Sequence, residues 1–430
     1  MADRRWAEIG ASFRYSRFRW IYLSNFAFFL AMMAQIVIRQ ILAFRLTGSP
    51  FALGLIGLAV AIPMLVVSPL GGVVADRMDR RRLIVFGQIV LLTSEIAVFL
   101  LLITDQLSYW MLLTGVAVMG TVFPVMMPAR QAIIVSTVGR EGLANAMALQ
   151  MGGMNTARIV GPVMGGFLVA FVSIEGAFAA SLVLYFIALI SVYRVGPAPV
   201  EGQTAGASWT KDMAEGFTFV WNGKLVRVLL IMAIVPAFLA MPFQSLLVVF
   251  TEEEWGVGPT GFGILQAFAG VGGLIGSFIM ALVGEPKRRL RLMASTLLAF
   301  TGSLFLFALS PWFLIALPLV LIADVFVAMF QTANATAIQV LIPDAIRGRV
   351  MSVMMMTFGL TPMGTVPVAA VAEVWGAPIA IAGAAAITGT ISIVILVFNG
   401  AIKTLDAEME KGFPDSETGF AQLEPREQVE

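Results

Sequence analysis

The sequence predicts an all-α polytopic membrane protein, with twelve transmembrane helices in two pseudo-symmetric six-helix bundles. Three observations carry that expectation: composition, run length and an internal repeat. Of 430 residues, 59% are hydrophobic and 12% charged, and the mean hydropathy is +0.92. A soluble globule of this length has too little interior to hide so much apolar side chain. A spanning helix needs roughly 20 apolar residues at 1.5 Å rise, and twelve such runs lie between Trp20 and Ile402. Membrane β-strands would instead read as short alternating segments, a pattern this chain lacks. The repeat pairs the end of helix four, Ala129-Arg130-Gln131-Ala132-Ile133-Ile134, with the end of helix ten, Asn334-Ala335-Thr336-Ala337-Ile338-Gln339. Each is followed by a Gly/Arg turn, at an offset close to half the chain. Parallel repeats of this kind fit two halves that rock about a midplane site.

In order, the first six runs fall at about 18–45, 51–75, 83–103, 108–137, 143–172 and 176–194. The second six fall at about 225–250, 260–283, 290–309, 312–341, 348–372 and 377–402. Basic residues gather at alternate ends: Arg4 to Arg19, Arg77 to Arg82, Arg140, Lys211, Lys224, Lys287 to Arg291, Arg347 and Arg349. The opposite turns carry Asp105, Glu175, Glu252 to Glu254 and Glu373, with only Arg39 and Arg45 as basic residues nearby. Clustered Lys/Arg mark the cytoplasmic side, so both termini are expected there, in a multi-pass protein of the cell membrane. The Gly/Pro-rich stretch after Val195 reads as a linker between halves. The expected organisation is a cytoplasmic segment 1–19, a first bundle 20–194, a linker 195–224, a second bundle 225–402, and a polar, acidic tail 403–430 without fixed structure. No cleavable signal peptide is expected, because Met1 to Arg19 is Arg-rich and lacks a small-residue cleavage site.

Absent residue types exclude several chemistries. The chain has no cysteine and no histidine, so thiol chemistry drops out, as do the usual metal ligands and the side chain that titrates most easily near neutrality. No metal, no cofactor and no enzymatic activity are expected, since no converging acid–base or nucleophilic set is visible. The basic clusters are short membrane-edge turns, so no nucleic-acid partner is expected either. Proton work, if any, falls to carboxylates.

Two motifs go further. Gly72-Val-Val-Ala-Asp76-Arg77-Met-Asp79-Arg80-Arg81-Arg82 packs charges into a tight hinge between apolar runs. It resembles the loop between helices two and three of major facilitator superfamily transporters, although Asp79 stands where the family usually has glycine. Helix five carries Ala157-Arg158-Ile159-Val160-Gly161-Pro162-Val163-Met164-Gly165-Gly166. Its Gly-Pro-x-x-Gly-Gly core is similar to the signature of antiporter branches. Together with Pro128-Ala129-Arg130-Gln131-Ala132, Leu143-Ala144-Asn145-Ala146 and Arg347-Gly348-Arg349-Val350, these segments resemble the drug and siderophore exporters near the enterobactin and macrolide efflux proteins. The resemblance implies gating by Gly72, Asp76, Arg77, Arg80 and Arg81, with Asp76 meeting the start of helix eleven. It implies tight packing of Gly161, Pro162, Gly165 and Gly166 against helix eight, and a central cavity lined by helices one, four, seven and ten.

Charged side chains inside the membrane are costly, roughly 2.5 kcal/mol or more each, and tend to be functional. Four are read here: Asp324 in helix ten, Glu95 in helix three, Arg158 in helix five and Arg39 toward the outer end of helix one. Asp324 and Gln331 share one face of helix ten, flanked by Asn334; Asn25, Met32 and Arg39, with Gln35 beside them, form a stripe on helix one. These stripes are the expected cavity walls, with Phe28, Phe29, Phe238 and Phe243 as apolar contacts. Arg158 is expected to neutralise one deep carboxylate in an intramembrane ion pair. The other then takes up protons, with Asp324 favoured and Glu95 the second candidate, since burial disfavours the charged form. The expected function is a secondary exporter of small amphipathic molecules, driven by the proton gradient through alternating access and working as a monomer in the lipid bilayer. Lysophospholipid flipping, solute import and a non-transporting membrane binding or assembly role are the alternatives, and the sign of the substrate's charge stays open.

Overall fold

The computed structural model describes residues 11–196, 217–284, 288–342 and 347–407. Among the described residues there is no strand. A short turn, Ala11–Arg14, leads into α1 (Ser16–Thr47), α2 (Pro50–Arg77), α3 (Arg80–Ile103), α4 (Tyr109–Gly139), α5 (Asn145–Phe171) and α6 (Ile174–Tyr193). The second set is α7 (Lys224–Glu254), α8 (Gly258–Val283), α9 (Arg289–Ala308), α10 (Phe313–Val340), α11 (Arg347–Trp375) and α12 (Ala377–Phe398). Eleven are long and apolar enough to cross a membrane. The other, α11, has 29 residues, about 43 Å of helix at 1.5 Å per residue. The expected linker at 197–216, the ends 1–10 and 408–430, the stretches 285–287 and 343–346, and the side chains of 69–77, 347–349 and 351–360 lie outside the described residues.

Polar residues set the helix starts. Asp79 accepts the Arg82 N–H at 2.9 Å to open α3, and Ser173 accepts from Gly176 at 3.0 Å to open α6; each satisfies a donor that the first helical turn leaves orphaned. Between α4 and α5 there is no loop. A single residue, Gly139, makes the bend at φ 68°, ψ −177°, where only glycine is unstrained.

One expected helix is interrupted. The run near 225–250 is not one rod: regular helix stops at Leu239 and resumes at Phe243. Pro236 and Pro242 flank the break, and neither has an N–H for the ladder. The chain bridges it with Met241 N–H donating to Pro236 C=O at 2.8 Å, then ends in a π turn, Phe250–Glu254. Phe250, Trp255, Phe307 and Phe243 form an aromatic cluster there, with ring centroids 5.2 to 6.2 Å apart. Phe243, expected at the cavity, is consumed by this packing and is 1% exposed.

Within the first set, α1 packs on α4, α5 and α6; within the second, α10 packs on α8 and α9, while α11 and α9 pack on α12. Two seams join the sets, α2 with α11 and α5 with α8. Glycine makes both possible. A Cβ on Gly166 would stand 2.5 Å from the Pro259 carbonyl oxygen and 2.9 Å from Gly263 Cα, and one on Gly54 would stand 3.1 Å from Val366 Cα. Gly161 and Gly165 serve the same end inside the first bundle, where a Cβ would meet Met33 at 2.5 Å and the Ala34 oxygen at 2.8 Å. Lipid offers no hydrophobic drive for helix association, so this close backbone approach supplies the dispersion that holds helices together.

The α8–α10 contact gives a sharp test. A Cβ on Gly276 would sit 2.3 Å from the Val325 oxygen, whereas one on Gly273 meets nothing within 4 Å. Gly276→Ala is expected to destabilise by about 1–3 kcal/mol, while Gly273→Ala is neutral or stabilising by under about 1 kcal/mol. Thermal unfolding of the purified protein in detergent reads the difference.

Candidate functional site

The bend in α7 turns Gln244 toward α10, and the α5–α8 seam leaves a hollow beside it. Met33 and Ile36 of α1, Arg158 and Pro162 of α5, Gln244 of α7, Gln266, Ala269 and Gly270 of α8, and Asp324 of α10 line a cavity of about 100 Å³. Both halves contribute wall. Asp324 is 2% exposed; its Oδ1 accepts a long hydrogen bond from Gln244 Nε2 at 3.5 Å, and its Oδ2 has no protein partner. Gly272 sets its depth, because a Cβ there would stand 3.0 Å from Asp324 Cβ. A space of 100 Å³ holds a few waters, well short of the roughly 300–1,000 Å³ of a small-molecule pocket.

Arg158 does not make the expected ion pair. Among the described residues the salt bridge inside the bundle joins Arg39 of α1 to Glu95 of α3. Arg39 Nη2 donates to Glu95 Oε1, and Arg39 Nη1 lies 3.8 Å from Met119 Sδ. Arg39 and Glu95 face each other across the first bundle, while Arg158 lies on the face of α5 turned to the second half, on the wall of the Asp324 cavity.

The α1 stripe also points elsewhere. Asn25, Met32, Gln35 and Arg39 are all buried and absent from the walls of the Asp324 cavity. The residues that α1 turns to that cavity are Met33 and Ile36, one position round the helix. Asn25 Nδ2 donates to Gln150 Oε1 at 3.1 Å, and Gln35 and Gln88 sit in the bundle interior with no protein partner for their amides. The reason is general: in lipid, a helix's polar face turns to other helices, and with α3, α4, α5 and α6 on one side of α1, that face is the bundle interior. Nor does α4 line this cavity; α5 and α8 take that place. Of the other expected wall residues, Gln331 is exposed and Asn334 is buried, with its Oδ1 unpartnered. Phe28 and Phe29 lie inside the first bundle, and the carbonyl of Phe238 presses on Gly364 of α11.

Sequence reasoning missed Arg130, Gln244 and Gln266. Arg130 is 2% exposed, within α4 and away from its end. Its Nη1 donates to Asn25 Oδ1 and to Ser24 Oγ at 3.4 Å, and its guanidinium lies 4.4 Å from the Phe28 ring centroid. No carboxylate pairs with it among the described residues. The glutamines had a visible signal, single amides within apolar runs; Arg130 read as lying near the cytoplasmic end of helix four because Gly139 and Arg140 follow so soon. Of the gating set, the side chains of Gly72, Asp76 and Arg77 lie outside the described residues. Arg80 donates to the Ala132 oxygen at 3.2 Å and Arg81 to the Tyr193 oxygen at 2.5 Å, so both bonds stay within the first half.

The geometry has counterparts. A family model described as "Transmembrane secretion effector" (MFS_3) matches residues 8–423. Multidrug efflux pump Tap of Mycolicibacterium fortuitum is 26% identical, with 76% of this chain and 82% of that protein covered. Staphyloferrin A transporter of Staphylococcus aureus is 23% identical, with 75% and 81% covered. Among solved structures, a bacterial homologue of the human lysosomal transporter Spinster, inward-facing and occupied, superposes with a TM-score of 0.70 at 15% identity, covering 94% of this chain and 99% of that one. That last likeness speaks to the fold.

The Arg39–Glu95 pair generates its own test. Glu95→Gln strands a buried guanidinium and is expected to lower stability by about 3–5 kcal/mol, whereas the double change Arg39→Met, Glu95→Leu recovers most of that loss. Chemical or thermal unfolding of the three proteins in one detergent measures it.

Proposed function

The chain belongs to the transmembrane secretion effector family of major facilitator transporters, and from that premise we propose a proton-driven exporter of small amphipathic molecules with Asp324 as the group that carries the proton. The coarser statement stands on family membership: this is a secondary transporter, not an enzyme. Export is supported by the relatives, a multidrug efflux pump and a siderophore transporter by name.

The observation that carries the coupling proposal is the unpartnered Oδ2 of a buried Asp324 at a cavity walled by both halves. A lone carboxylate there is costly at the membrane midplane, by about 2.5 kcal/mol or more. It is relieved by a proton or by a cationic group on the ligand. Those two occupants exclude each other, which is the condition for exchange. Glu95 is less suited, because Arg39 already neutralises it. Arg158, on the same cavity wall, moderates the field at Asp324 without neutralising it by contact and offers a donor to polar parts of the ligand. At about 100 Å³ this cavity is smaller than a drug-sized molecule, so a ligand that reaches Asp324 requires the surrounding helices to move.

Purified protein in liposomes with an imposed pH gradient, assayed with ethidium, tests this reading. Asp324→Asn is expected to lose gradient-driven ethidium movement at least tenfold while keeping the parent's melting temperature; unchanged gradient-driven movement would remove Asp324 from the mechanism.

We also place the basic turns in the cytoplasm, following their Lys/Arg content. Because the chain is free of cysteine, Asp105→Cys is expected to react with an impermeant maleimide in intact cells and Lys224→Cys only after lysis. The reverse pattern would invert the orientation and the export direction with it.

A further inference from the structure

The α2–α11 seam ends, on the face that bears the acidic turns, in a contact made by one carboxylate. Glu373 lies in the last turn of α11. Its Oε2 accepts the hydroxyl of Ser49 at 2.7 Å and the backbone N–H of Phe51 at 3.1 Å. Ser49 immediately precedes α2, and Phe51 is in its first turn, so the N–H of Phe51 is a donor that the helix itself cannot satisfy. An acid from the second half therefore caps a helix of the first.

Two features mark this as more than incidental surface contact. A negative charge in the last turn of its own helix opposes the helix dipole, whereas the same charge at a helix N-terminus is favoured; Glu373 is well placed for α2 and badly placed for α11. Moreover, among the described hydrogen bonds, these two are the ones that join the halves. Among the described residues the seam otherwise closes on small and apolar contacts. Gly54 meets Val366 and Ala369, Gly57 meets Pro362, and the register 362, 366, 369, 373 runs down one face of α11. Glu373 and Phe51 are both exposed, so water competes for the bond, and separating the halves does not strand a buried charge.

We propose that Glu373 is a gating residue: by capping α2 from the opposite half it latches the acidic-turn face shut, and its release opens the cavity to that side. The inference needs two halves that part. It does not depend on the substrate, the proton or the direction of transport, so it survives or fails independently of those assignments.

Spin labels read the latch directly. With no native cysteine to remove, Asp105→Cys in the α3–α4 turn and Pro311→Cys in the α9–α10 turn place labels on this face, one in each half. In reconstituted protein, pulsed electron–electron distance measurements are expected to show a longer-distance population in Glu373→Gln and Glu373→Ala. Loss of one cap should raise the open-to-closed ratio about fivefold, and Glu373→Asp should fall between parent and Ala. Ser49→Ala removes the hydroxyl from the other side and should give a smaller shift that does not add to that of Glu373→Ala; it also reads the contact if Glu373→Ala folds poorly. Distance distributions that match the parent in Glu373→Gln and Ser49→Ala would overturn the proposal. A fall in melting temperature with no change in distances would reduce Glu373 to a structural contact and overturn it as well.

Discussion

Close backbone contact across the seams is the constraint on which the rest of this structure depends. Where Gly166 faces Gly263 and Gly54 faces Val366, there is no room for a side-chain atom beyond the glycine backbone. In hydrocarbon the attraction between helices is dispersion, which falls steeply with separation. A few tenths of an ångström at these points therefore decide whether the halves meet at all. They also decide where the cavity lies, because α5 and α8 touch at one level and leave Arg158, Gln266 and Asp324 around a hollow at another.

The two halves treat their charges differently. The first half settles two of its own, with Glu95 matched by Arg39 and Arg130 held by the neutral partners Asn25, Ser24 and the face of Phe28, and turns the third, Arg158, to the shared cavity. The second half leaves Asp324 with a single weak neutral donor and an open oxygen. A buried pair makes a rigid strut whose members are costly to separate. A buried single charge invites an occupant. On the proposed reading, scaffolding falls to one half and exchange to the other, with the seam between them as the place where the two are coupled.

Much of this was legible in the chain. Hydrophobic run length located the helices to within a few residues, since nothing but a helix satisfies its own backbone over a membrane's width. Asp324 stood out as an acid deep in an apolar run, and the Gly161-Pro162-x-x-Gly165-Gly166 spacing announced tight packing before any neighbour was known. Facing directions were less legible. The periodicity of α1 grouped Asn25, Met32 and Arg39 correctly on one face, but periodicity is silent on whether a face looks into its own bundle or across to the other one. The same ambiguity set Arg158 against one of the two deep carboxylates, whereas the ion pair that forms is Arg39 with Glu95.

By itself, then, the sequence determined what kind of object this is: helical, membrane-spanning, with an ionisable group deep in an apolar run. Those properties follow from local quantities, namely apolar length, the identity of turn residues and the cost of a charge in lipid. Tertiary structure decided which charges meet, where α7 bends to bring Gln244 to Asp324, and that Glu373 caps a helix 324 residues earlier in the chain than itself. Pairings of that kind depend on helix rotation and on distances across a seam, and a one-dimensional pattern repeating every 3.6 residues carries neither.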